Sequence, residues 1–255
     1  MTSRIRHPYL DHPGPIPFAH RGGAAGGLEN TALQFRRAVE AGYRYLETDV
    51  HATVDGRLVA FHDATLDRIT DGAGRIADLP WKDVRHARVA GKEPVPLFEE
   101  LLETFPEARW NVDVKAEPAL LPFLELVERT DSWDRICLGS FEEARVVRAQ
   151  RLAGPRLATS YGTRGVLGLR LRSWGLPARV RRSAVAAQVP EAHSGVQVVD
   201  HRFLRTAHAL GLQVHVWTVN DPERMHRLLD LGVDGIMTDH IDTLRMVMED
   251  RGVWV

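Results

Sequence analysis

The chain has 255 residues, 44% of them hydrophobic and 26% charged, the balance of an ordinary globular protein with enough apolar material for one large core. Lysine and arginine total 33 against 34 aspartates and glutamates, a net charge of -1, so no whole-molecule field draws it to nucleic acid or to an anionic membrane. The single cysteine, Cys137, excludes an intramolecular disulfide; residues 1–17 lack the apolar run of a secretory signal, and no stretch approaches the roughly 18 apolar residues of a membrane span, so the expectation is a cytoplasmic protein without stable membrane insertion.

Short apolar runs rich in β-branched residues alternate with helix-length amphipathic stretches, the signature of repeated βα units and a mostly parallel sheet. Residues 16–20 form the first predicted strand. Asn30 or Thr31 then caps a helix whose apolar face is Leu33, Phe35, Ala38 and Val39 and which ends at Gly42. The second strand covers 45–51. Behind it, Val54-Asp55-Gly56 supplies the positive φ of a tight hairpin, folding 57–61 back against that strand inside a long interval, 52–108. Pro96 opens a helix near the end of this interval. Further strands at 109–115, 136–140, 156–160, 184–189, 213–219 and 235–238 bring the barrel set to eight. After the seventh, Asn220-Asp221-Pro222-Glu223 offers a side-chain cap and then Pro at the first helical position, where its missing N–H costs nothing.

Residues 161–183 yield no firm assignment. Within them, 164–182 mixes arginines with Val166, Leu167, Leu169, Leu171, Trp174 and Leu176, which reads either as a solvated amphipathic face or as a weak contact for phospholipid head groups. No repeat or low-complexity tract marks a boundary, so residues 1–255 are taken as one α/β domain, and a barrel accommodates the eight strands.

Each strand run ends in ionisable or polar residues, which an apolar core would not tolerate unpaired. Where parallel strands close into a barrel, their C-terminal ends share one mouth, so residues far apart in sequence converge there. His20 and Arg21 follow the first strand; Glu47, Asp49 and His51 lie on the second; His62 and Asp63 follow the hairpin strand; Asn111, Asp113 and Lys115 lie on the third; Trp217 and Asn220 mark the seventh; Asp239 and His240 follow the eighth. Glu47 and Asp49, two apart, point to one face, and Asp113 joins them from the neighbouring strand. Three carboxylates aimed at one spot repel unless a cation sits among them, and oxygen-only ligands favour Mg²⁺, Ca²⁺ or Mn²⁺ over Zn²⁺. The alternative is that each carboxylate is satisfied by an arginine or a backbone amide.

In order along nearly the whole chain, Ala19-His20-Arg21-Gly22, Leu28-Glu29-Asn30-Thr31, Glu47-Thr48-Asp49-Val50, Asp55-Gly56, Phe61-His62-Asp63, Leu66-Asp67-Arg68, Asn111-Val112-Asp113-Val114-Lys115, Ser140-Phe141, Val216-Trp217-Thr218-Val219-Asn220 and Gly232-Val233-Asp234-Gly235-Ile236-Met237-Thr238-Asp239 resemble the motifs of the glycerophosphodiester phosphodiesterase family. The resemblance implies a TIM barrel with an insertion after the second strand, catalytic histidines at His20 and His62, and a divalent metal held by Glu47, Asp49 and Asp113. Many family members carry glutamate at the position of Asp113, which puts the reach of that third ligand in doubt.

The activity implied is metal-dependent hydrolysis of a small glycerophosphodiester to an alcohol and sn-glycerol 3-phosphate. A phosphodiester anion resists nucleophiles until its oxygens are neutralised, a task for the metal with Arg21 and Lys115, although either cation also reads as a structural ion pair. The nucleophile loses a proton and the leaving alkoxide gains one, and histidine titrates in the range suited to both. Glu29 either supports this cluster, meets the glycerol hydroxyls or fixes a loop. Trp217 walls the glycerol pocket or fills the barrel. Asp63 and His51 are candidate partners of the site residues, Gln188 a contact at the sixth strand end, Asp221 a helix cap, and Asp239 and His240 loop structure. Two other functions compete: a phospholipase D-like hydrolase of lysophospholipids or sphingolipids, with the 164–182 segment supplying an apolar channel, and a non-catalytic barrel that binds glycerophosphodiesters.

Overall fold

A computed structural model describes residues 7–180 and 183–255. Eight parallel strands form a nearly closed barrel: β1 (Ile16–Ala19), β2 (Tyr45–Ala52), β4 (Arg109–Val114), β5 (Ile136–Gly139), β6 (Ala158–Thr159), β7 (Ala186–Pro190), β8 (Gln213–Trp217) and β9 (Gly235–Thr238), while β3 (Leu58–Ala60) pairs antiparallel with β2. The strand order is β6-β5-β4-β2-β1-β9-β8-β7, and a parallel bridge from Ser160 to Ala186 links the two ends. This is the TIM-barrel architecture anticipated from the sequence.

Alternation along each strand divides two environments. Leu46 and Val50 of β2, Trp110, Val112 and Val114 of β4, and Val214 and Val216 of β8 belong to the large core beneath the helices. Trp110 is fully buried there, with the rings of Phe35 and Phe98 edge-on at 4.9 and 5.6 Å. The inward positions hold Ile16, Phe18, Tyr45, Cys137, Ala158 and Met237, closed at the barrel floor by Tyr9 and Leu10. Above this apolar plug the same alternation turns polar, through Glu47 and Asp49 on β2 and Asn111 and Asp113 on β4, with Asp49 in register with Asp113.

The hairpin forms as its turn demands, with Gly56 at φ 77°. The rest of the interval from 61 to 97 gathers a second small core of Val59, Phe61, Leu66, Ile76, Val84, Val89 and Leu97. Thr31 caps α1 (Ala32–Glu40) by accepting from Gln34 N, and Asp221 caps the helix Pro222–Leu231 in the same way from Arg224 N. The apolar face of α1 departs from expectation: Phe35 and Ala38 are buried, but Gln34 takes the third buried place, Leu33 is half-buried and Val39 is 38% exposed. Gln34 is inside because its amide donates to Gly23 O, so a polar residue is satisfied where the hydrophobic pattern points elsewhere.

The segment without an assignment contains a helix, Thr163–Ser173. Of its apolar residues only Leu169 is fully buried; Leu167, Trp174 and Leu176 are exposed. Arg181 and Arg182 lie outside the described residues.

Candidate active site

The loop after β1 is built around backbone strain. Arg21 adopts φ 52°, and Gly22 and Gly23 follow at 81° and 94°. A Cβ on Gly22 would lie 3.0 Å from Phe35 N, so only glycine lets this turn lie on the start of α1. The turn aims His20 into the mouth and directs the Arg21 N–H at Glu47 Oε2, 3.1 Å away.

Both histidines expected to be catalytic reach the mouth, and each is held in the same way. His20 Nδ1 donates to Asp239 Oδ1 at 2.7 Å, and His62 Nδ1 donates to Asp63 Oδ1 at 2.6 Å. A carboxylate only accepts, so these bonds place a proton on Nδ1 and leave Nε2 as the nitrogen that exchanges protons. His20 Nε2 lies 3.7 Å from Glu47 Oε2.

Each orienting carboxylate is itself fixed. Asn220 Nδ2 donates to Asp239 Oδ2 at 2.9 Å, while Asn220 Oδ1 accepts from Asp239 N at 2.9 Å. Asp63 receives Arg68 Nε at 2.5 Å, and Arg68 also reaches Glu29 Oε1 at 2.6 Å. Glu29 continues the chain to Arg21 Nη1 at 3.0 Å, and Arg21 Nε lies 3.3 Å from Asp49 Oδ2. Glu29 thus ties the β1 loop to the insertion.

Of the carboxylates expected to share a metal, Asp49 and Asp113 meet on a lysine, while Glu47 faces His20 and the Arg21 N–H. Lys115 Nζ sits 2.7 Å from both Asp49 Oδ1 and Asp113 Oδ2, and Asn30 Nδ2 donates to Asp49 Oδ2 at 3.1 Å. Among the described residues no set of three His, Cys, Asp or Glu side chains is gathered around a point suited to a metal ion. Arg21 and Lys115 therefore both stand in ion pairs.

The electrostatics follow from burial and these pairings. Burial, then the charge of Asp49, pushes the Glu47 carboxyl up to about 7. Burial would raise Asp49 too, but Lys115 and Arg21 outweigh it and hold it below the usual carboxylate range. At His20 burial opposes the imidazolium, yet Glu47 and Asp239 prevail and raise it above an ordinary histidine. The bond from Arg68 brings Asp63 down to about 2.

Trp217 sits at the mouth, half-buried, with the ring of Phe141 edge-on at 5.7 Å. Lys115 lies 5.7 Å over that Phe141 ring, which is 59% exposed. His51 Nε2 meets the His62 carbonyl at 3.1 Å and so steadies the hairpin loop. Gln188 turns into the barrel, donating to Asn111 Oδ1 at 2.7 Å.

A sequence profile described as "Glycerophosphoryl diester phosphodiesterase family" matches residues 20–243. The chain belongs to this family. It is 40% identical to the Mycobacterium tuberculosis protein named "Probable glycerophosphodiester phosphodiesterase 2", over 96% of this chain and 95% of that one. It is 28% identical to human lysophospholipase D, over 89% of this chain and 84% of that one. Among solved structures, an Oleispira antarctica phosphodiesterase in complex with the product sn-glycerol-3-phosphate superposes with a TM-score of 0.77 at 22% identity, over 92% of this chain and 97% of that one.

As a member of the glycerophosphoryl diester phosphodiesterase family, the chain is a phosphoric diester hydrolase. Two residues of its mouth escape a reading of sequence. Asp239, taken there for loop structure, is the partner of His20. Arg68, present in the Leu66-Asp67-Arg68 motif without a role, clamps Asp63. The one available signal was position: Asp239 follows a barrel strand, where an unpaired acid is conspicuous.

Proposed function

We propose that the chain hydrolyses glycerophosphodiesters to an alcohol and sn-glycerol 3-phosphate, with His20 and His62 handling the protons. The observation that supports this most is their shared arrangement: each has Nδ1 on a braced carboxylate, which leaves Nε2 as the nitrogen turned to the mouth. One imidazole takes the proton of the attacking hydroxyl or water. The other delivers a proton to the departing alkoxide as its bond to phosphorus breaks.

The mouth fits a divalent cation on charge and on donor chemistry. Six acids, Glu29, Glu47, Asp49, Asp63, Asp113 and Asp239, gather there with His20, His62 and three permanently charged cations, Arg21, Arg68 and Lys115, so the acids outnumber the fixed positive charges. Asp113 Oδ1 is buried without a hydrogen-bond partner, and burial together with the charge of Asp49 pushes Glu47 up to about 7. Glu47, Asp49 and Asp113 are the residues that would hold the ion, and hard oxygen donors suit Mg²⁺, Ca²⁺ or Mn²⁺. When bound, such an ion supplies Lewis-acid neutralisation of the phosphoryl oxygens. Arg21 and Lys115 keep the acidic cluster in place and lend positive charge beside the phosphoryl group, while Trp217 offers an apolar wall to the glycerol carbons.

A panel of glycerophosphodiesters assayed with each of the three ions after chelator treatment, with sn-glycerol 3-phosphate followed as product, tests the reading. Turnover that survives both chelation and replacement of His20 and His62 by Ala refutes it.

Lysophospholipid hydrolysis is a second reading, favoured by the similarity to human lysophospholipase D. Of the apolar residues expected to serve it, Trp174 lines an outer-wall basin that shares no residue with the mouth. Comparing turnover of glycerophosphocholine with that of its long-chain lyso form separates the two.

A further inference from the structure

That basin lies outside the ring of helices. It is an open hollow of about 640 Å³ between the C-terminal end of helix Thr163–Ser173 and the solvent face of helix His201–Ala209, lined by Arg172, Trp174, Arg202, Arg205 and smaller neighbours. Among the described residues no carboxylate lies within ion-pair distance of these three guanidinium groups, and none lines the hollow. Arg202 and Arg205 stand three apart on one helical face, where like charges repel, and Arg202 lies in the first turn, where the helix dipole disfavours cations. Local folding energetics do not account for them.

The indole beside them is fixed in place at the surface. Arg170, itself buried, stacks 4.5 Å from the Trp174 ring on one side and pairs with Asp200 at 2.7 Å on the other. Trp174 nevertheless remains 44% exposed, and Leu176, two residues on, is 49% exposed. An anchored indole with an exposed leucine, ringed by uncompensated arginines, has the composition of a surface that rests at the head-group level of a bilayer.

We propose that this outer-wall patch is a peripheral docking site for anionic phospholipid surfaces, in which Arg172, Arg202 and Arg205 take head-group phosphates while Trp174 and Leu176 enter the interface. The binding is reversible, in keeping with the absence among described residues of any helix long and apolar enough to cross a membrane. It does not depend on the chemistry assigned to the mouth, with which it shares no residue.

The test is co-sedimentation of the full chain with vesicles of phosphatidylcholine alone and with phosphatidylglycerol added. Binding should require the anionic lipid and weaken as NaCl is raised from 0.05 to 0.5 M, as approximate bounds of useful screening. The triple variant Arg172→Gln, Arg202→Gln, Arg205→Gln should bind roughly a hundredfold more weakly, at about fivefold per arginine near such a surface. Its thermal unfolding midpoint serves as the folding control. A measurement that needs no charge variant is fluorescence: brominated phosphatidylglycerol should quench the wild-type chain more than Trp174→Phe. Equal binding to neutral vesicles, no binding to anionic ones, or no difference in quenching overturns the proposal. So does capture of soluble glycerol phosphate by the three arginines without vesicle binding, which would make the hollow a small-ligand site instead.

Discussion

His215 makes stability depend on pH in a way that can be worked out from its surroundings. It sits wholly inside the barrel on β8, its ring 4.8 Å from that of Phe18, with Nε2 2.9 Å from Gln213 Oε1 and Nδ1 3.4 Å from Gln188 Nε2. Amide partners satisfy the neutral ring, which donates from Nε2 and accepts at Nδ1, and no carboxylate touches it; Asp234, the one acid that favours its charge, is occupied by His208 at 2.7 Å. Burial therefore lowers its pKa from 6.5 to about 4. The unfolded chain takes up this proton near pH 6.5 and the folded chain only near 4, so within that window the unfolded state binds more protons and stability falls as pH falls. The full loss is on the order of 3 kcal/mol, a substantial part of an ordinary domain's stability. Above pH 6.5 the residue contributes no slope. Replacing His215→Gln keeps amide-compatible polarity and removes the titration. Urea unfolding of both proteins at steps from pH 7.5 to 4 should give curves whose difference is flat above pH 6.5 and then shifts by about 3 kcal/mol in the variant's favour on acidification. Parallel curves across the whole range would show that the buried ring is not kept neutral and would refute the reasoning.

Other perturbations probe the mouth. Asp239→Asn removes the charge that orients His20 while keeping the shape, and kcat should fall on the order of 10- to 100-fold with KM little changed; an effect confined to KM would place Asp239 in substrate binding. Trp217→Ala should raise KM for glycerophosphodiesters by roughly tenfold with a smaller change in kcat if the indole walls the glycerol, whereas unchanged kinetics assign it to barrel filling alone. Gly22→Ala forces a Cβ against Phe35 N at positive φ and should cost about 2–4 kcal/mol, seen as a midpoint lowered by several degrees; an unaltered midpoint would show that the turn relaxes freely.

The barrel was legible because its outward strand faces are small or apolar, led by Val, Leu, Ile and Trp, and its turns carry the chemistry their geometry needs, as at Asp55-Gly56 and Asp221-Pro222. Where the pattern is weaker, so was the reading. The strand expected over 156–160 is regular only at Ala158–Thr159, with Ser160 adding a single bridge to Ala186, and the helix Thr163–Ser173 hid because Gly165 and Gly168 interrupt it and its leucines do not keep to one face. The acids of β2 and β4 were placed by strand alternation, and His20 and His62 by their position just after strands together with the family resemblance. The partners that fix them were not, since Asp239 meets His20 across 219 residues and no spacing encodes such a contact. Nor does spacing reveal that Lys115 folds back between Asp49 and Asp113, which depends on the reach of a flexible side chain.

The insertion gives the molecule a divided inheritance. His20 stands on the barrel proper, whereas His62 is delivered by a hairpin with its own apolar centre, and Arg68 reaching Glu29 is a direct tie between the two at the mouth. Substitutions that repack one block need not disturb the other. Relatives could therefore exchange or resize the hairpin block to suit bulkier alcohols while leaving the cylinder's architecture alone, so long as that arginine and glutamate still find each other.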